Sequence, residues 1–155
     1  MPHHRFDWHE HVKDVEDEYR AARFALNELS AALERQSGLL RKGGLVRAHF
    51  RKAHANLEGT YLVRLFASFE AALRSYDRAR HNDPERHENA SVLIDTIGGR
   101  RGQGVSDADR KGAHAVRRVR NYWAHESDAS PEPMTIAEAR GRLQKYLSWL
   151  PEQWG

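Results

Sequence analysis

The chain has 155 residues, enough for one domain that buries a sizeable core without metals or cross-links. It contains no cysteine, which excludes a disulfide framework and any thiolate-held zinc, and no apolar run approaches the length of a membrane span. Its 25 Lys and Arg against 22 Asp and Glu leave a formal charge of +3, so overall charge argues only weakly for an anionic partner.

The opening "MPHHRFDWHEHVKDVEDEYR" is polar and charged, without the apolar stretch of a secretory signal, and the expected location is the cytoplasm. His3, His4, His9 and His11 have no fixed scaffold between them, so they read as a frayed end rather than a metal site. From there Trp8, Val12, Val15, Tyr19, Ala22, Leu26, Leu29 and Leu33 recur at spacings of three and four, predicting a long helix from about Asp7 to Gln36 packed along a neighbour. Gly38, Gly43 and Gly44 in "SGLLRKGG" predict a reversal.

A second long helix is expected up to about Arg80. Val46, Phe50, Ala53 and Leu57 line its first part, and Leu62, Leu65, Phe66, Phe69, Leu73 and Tyr76 form a stripe on its second, with an irregularity at Gly59. Asn82-Asp83-Pro84 stops it, because the residue before a proline is steered out of the helical region. The segment "SVLIDTI" fits helix or strand by period; with no second strand to pair with, it is expected as a short helix ending at Gly98-Gly99. The following "GGRRGQG" lacks the strand and the Gly-Lys-Ser/Thr ending of a P-loop, so it reads as a basic connector whose arginines are able to touch a phosphate backbone.

Ser106 and Asp109 then resemble a cap for a fourth helix, which fades near Glu126. "ESDASPEP" is a polar linker, Thr135 and Glu138 form a capping box, and Ile136, Ala139, Leu143, Tyr146, Leu147 and Leu150 predict a closing helix stopped by Pro151. The fold expected is all-α, a bundle of four to five helices with a long N-terminal helical hairpin.

Chemistry concentrates in the fourth helix. At about 100° per residue, Ala113, Val116, Val119 and Trp123 share the packed side, while His114, Arg118, Asn121 and His125 form a polar stripe opposite. Arg120 falls roughly 140° round from His125, near the apolar edge, where its stem can cover carbon while the guanidinium emerges at the rim. Asn121 and His125 therefore stack within one chain, and Arg120 must reach round or meet a second copy. Trp123 is expected in the core; Tyr122, between the two faces, stays open as a base-stacking candidate. Arginine predominates over lysine in this region and in "GLLRKGGLVRAHFRK", which suits bidentate phosphate contact but equally follows from a GC-rich coding bias.

The stretch Arg120-Asn121-Tyr122-Trp123-Ala124-His125-Glu126, "RNYWAHE", resembles the signature of HEPN domains, all-α bundles that include many ribonucleases, and "YLVRLFASFEAALRSY" resembles the aromatic and acidic helix that precedes it. The resemblance covers roughly residues 7–150 of a single domain spanning 1–155. It implies that Arg120, Asn121 and His125 are catalytic, that Glu70 supports them, and that two copies form a homodimer with a shared RNA-cleaving cleft that needs neither metal nor cofactor. An imidazole, titrating near pH 6.5, suits proton exchange with a ribose 2′-hydroxyl or a leaving 5′-oxygen, and a guanidinium suits the phosphorane-like charge. His114, Arg117, Arg118, Tyr122, Arg100 and Arg101 become candidates for RNA contact. Glu70 equally reads as an ion-paired structural carboxylate. A toxin or defence effector with an antitoxin or other regulatory protein is the implied setting; a non-catalytic HEPN-like module that binds RNA, a nucleotide or a protein is the alternative.

Overall fold

The computed structural model describes residues 4–97, 104–125 and 130–154, and of Lys42 the backbone alone. His3, Gly98, Gly99, Arg100, Arg101 and Glu126 lie outside the described residues. Among those described, the chain is all-α: α1 (Arg5–Arg35), α2 (Arg47–His81), α3 (Ala90–Ile97), α4 (Asp107–Ala124) and α5 (Ile136–Leu147). No described helix is long and apolar enough to cross a membrane.

The helix ends follow from local chemistry. A 3-10 turn at Leu39–Gly43 carries the reversal after α1, and Gly44 closes it at φ 67°, a left-handed conformation that glycine adopts without a Cβ clash. Asn82, also left-handed at φ 49°, ends α2 by donating its N–H to Ala79 and Arg78 carbonyls. Ser106 caps α4 by accepting from the Asp109 N–H at 3.1 Å. The reciprocal Thr135–Glu138 box opens α5, with Glu138 Oε2 accepting from the Thr135 N–H at 2.9 Å.

α2 is the central mast and packs against all four other helices. Leu62, Leu65, Phe66, Phe69, Ala72 and Leu73 are buried along it, facing Trp8, Val12, Val15 and Tyr19 of α1, Ala113, Val116 and Val119 of α4, and Leu143, Tyr146 and Leu147 of α5. Tyr146 meets Phe69 edge-on at 5.3 Å and donates its hydroxyl to the Ile94 carbonyl at 2.7 Å, tying α3 to the mast; burial pushes its phenol pKa up.

Several expectations are corrected. α2 runs unbroken through Gly59, so that glycine marks a close approach rather than an irregularity. The end from His4 onward is not frayed: His4 pairs with Gln153, the Arg5 N–H donates to Glu152 at 2.9 Å, and the Arg5 guanidinium donates to the carbonyls of Ser148 and Leu150 at 3.1 and 2.7 Å. α5 stops at Leu147, and a turn rather than further helix buries Leu150. The α1 seam is buried at Trp8, Val12, Val15, Tyr19 and Leu33, whereas Ala22, Leu26 and Leu29 between them are half-buried. Val46 and Ala53 at the start of α2 are exposed as well, because the far end of the α1–α2 hairpin extends past α4 and α5.

Candidate active site

α4 presents the motif because its other face is committed to the core. Ala113, Val116 and Val119 are buried, which sets the rotation of the helix and delivers Arg120 to its boundary with α2. There the Arg120 guanidinium lies 5.5 Å from the Phe66 ring centroid, and its Nη2 is 3.7 Å from Glu70 Oε2. Glu70, largely shielded, is also ion-paired with Arg74 one turn along α2, so one carboxylate faces two guanidinium groups. Arg120 Nη1 donates to Asn121 Oδ1 at 2.9 Å, and the Arg120 Nε–H has no acceptor among the described residues.

That bond decides which way the Asn121 amide points. Its oxygen is held by Arg120, which leaves its NH2 group, with two donors, uncommitted, and Asn121 helps to line a cleft beside α4. Arg120 thus acts on its neighbour as well as supplying charge.

His125 does not continue the helix. It is the C-cap, with extended backbone at φ −136° and ψ 144°, and only its N–H follows the helical pattern, donating to the Asn121 carbonyl at 3.0 Å. His125 therefore departs from the regular helical geometry on which its place above Asn121 was expected. The imidazole is exposed, and its side chain has no hydrogen bond or ion pair among the described residues. The other end of the expected polar stripe is also altered. His114 donates from Nε2 to Asp95 Oδ1 at 2.9 Å and accepts from Arg117 Nε at 3.4 Å, a tautomer set by the two partners, so His114 bridges α4 to α3 while Arg117 braces it from the same helix. Arg118 remains exposed on the cleft side.

Trp123 is the clearest correction within the motif. It is not in the core but 42% exposed, with its indole set against Gly59 of α2. A Cβ built on Gly59 would sit 2.1 Å from the ring, so the absence of a side chain there is what admits the tryptophan. Tyr122, 38% exposed, meets Trp123 edge-on at 5.7 Å.

Two clefts flank these aromatics, both walled by residues 130–134. The larger, about 510 Å3, lies between α4 and that segment and reaches Arg142 of α5; the smaller, about 220 Å3, is bounded by Glu58, Leu62 and Trp123. Sequence reasoning passed over Arg142 and the Pro131-Glu132-Pro133 wall. The prolines were the available signal, since two of them at alternate positions stiffen a linker. Among the described residues, no group of three or more His, Asp or Glu side chains is placed to hold a metal ion. Comparison with models of known protein families, with curated proteins and with solved structures gave no match.

Proposed function

We propose that this chain is an endoribonuclease of the HEPN type, acting as a homodimer without a metal ion, in the cytoplasm, as a toxin or defence effector held in check by a protein partner. One observation carries the reading. A guanidinium anchored by Glu70 and Phe66 orients the Asn121 amide, and an exposed imidazole follows immediately at the helix end. These are the group types that transphosphorylation of RNA requires: donors for the phosphate oxygens and a base that exchanges protons near neutrality.

In the reaction, the His125 imidazole of one protomer takes the proton of a ribose 2′-hydroxyl, and that oxygen attacks the adjacent phosphorus. The bond to the 5′-oxygen breaks, and the imidazolium of the second protomer returns a proton to it. The products are a 2′,3′-cyclic phosphate and a 5′-hydroxyl. The Asn121 amide and the Arg120 guanidinium stabilise the charge on the non-bridging oxygens. Two copies supply two imidazoles, which resolves the need for a base and an acid when each chain offers one.

The test incubates the purified chain with structured RNA in excess EDTA, beside His125→Ala and Arg120→Ala. Cleavage by the wild type and its loss in both variants is the expected result. Intact RNA over a broad set of substrates would favour a module that binds without cutting.

A further inference from the structure

The larger cleft beside α4 is unusual for its charge. Arg118 of α4 and Arg142 of α5 both line it, and neither forms an ion pair among the described residues. The stem of Arg142 lies across Gly112, where a Cβ would meet its Cβ, Cγ and Cδ at 3.6, 3.7 and 3.8 Å, so it runs in contact with α4. A carboxylate stands in the same cleft, that of Glu132, yet it makes no salt bridge with either arginine. Pro131 and Pro133 on both sides of it fix the backbone and restrain the wall from collapsing onto the cations.

The remaining lining complements this charge. Asn121, whose oxygen is taken by Arg120 so that its two amide donors are uncommitted, lines it together with the aromatic Tyr122 and the apolar Met134. Two guanidinium groups, an amide donor, an aromatic ring and one carboxylate acceptor in about 510 Å3 match a group the size of one nucleotide. A protein interface would be flatter and far larger.

We propose that this cleft is a subsite for single-stranded RNA, holding one nucleotide next to the scissile phosphate. Arg118 and Arg142 take its phosphate, Tyr122 and Met134 lie against its base, and Glu132 accepts from a base N–H. The proposal rests on the nuclease reading for the identity of its ligand. Asn121 joins the two sites, because the amide oriented by Arg120 lies at the edge of the cleft.

The test measures binding of a fluorescent 2′-O-methyl RNA tetranucleotide, which keeps phosphates and bases but lacks the attacking hydroxyl. Wild type is compared with Arg118→Gln, Arg142→Gln and Tyr122→Ala, and with Arg47→Gln on the exposed hairpin end as a control for general charge. Each of the first three weakens binding about tenfold, and each arginine variant lowers the salt slope by about one, whereas the control leaves both unchanged. Competition by inorganic phosphate as effective as by a nucleoside monophosphate would overturn the base-binding half of the proposal. Equal binding by all four variants would overturn the whole. Cleavage of RNA with unchanged KM in Arg142→Gln would remove the subsite and leave the nuclease standing. Binding lost in the variants of a chain that cuts no RNA would keep the subsite and remove the nuclease.

Discussion

At Gly59 a single hydrogen decides where a tryptophan goes. Its missing side chain lets the Trp123 indole lie on α2, and that contact holds the end of α4 where Asn121 and His125 are presented. Gly59→Ala forces the ring away, with an expected loss of about 1–3 kcal/mol measured by chemical denaturation, and a change in tryptophan emission. Unchanged stability would show that the indole has room elsewhere. At Arg120 the same logic concerns shape rather than size. Arg120→Lys keeps the charge but loses the fork that reaches Glu70 and Asn121 together, and the guanidinium over the Phe66 ring. A fall in kcat of about a hundredfold or more, with little change in unfolding midpoint, is expected from steady-state cleavage assays.

α4 and α5 carry the site, and their first turns are set by side-chain caps. Ser106→Ala and Thr135→Ala are each expected to cost about 1 kcal/mol in denaturant unfolding. Both caps include a carboxylate whose pKa is depressed. Asp109 is lowered first by the hydrogen bond from the Trp149 indole N–H and then by the one from Ser106; Glu138 is lowered first by the Thr135 backbone N–H and then by its hydroxyl. A depressed carboxylate binds fewer protons folded than unfolded, so its contribution is present at neutral pH. It fades as pH falls below the ordinary carboxylate range and through the folded values. Melting temperatures from pH 7 down to pH 3 are expected to fall less steeply in the Asp109→Asn and Glu138→Gln double variant than in the wild type. These caps, the turn glycines and the buried stripe of α2 were legible because each depends on neighbours in sequence. What the helical wheel missed depends on other elements. It gave Trp123 a direction but not the glycine that receives it. It gave His114 a face but not Asp95 of α3, and it extended regular geometry one residue too far, to His125. Asn121 was legible as a motif residue, whereas the orientation of its amide required the Arg120 contact.

At the scale of the molecule, the α1–α2 hairpin leaves Phe24 67% and Val46 55% exposed, and the motif lies at the end of the α2–α4 contact nearer the start of α2, where Trp123 rests on Gly59. The proposed reaction draws one His125 imidazole from each of two chains, so the solution mass by light scattering is expected near twice the 17.8 kDa of one chain. A monomer at concentrations that cut RNA would remove the shared cleft. The proposed cleavage requires a 2′-hydroxyl as the nucleophile and protein side chains alone to move the protons. The direct measurement is mass spectrometry of the RNA ends produced in excess EDTA. The expected ends are 2′,3′-cyclic phosphates and 5′-hydroxyls, with no product from RNA carrying a 2′-deoxy sugar at the cut position; 3′-hydroxyl and 5′-phosphate ends, or cutting of the deoxy substrate, would contradict this mechanism.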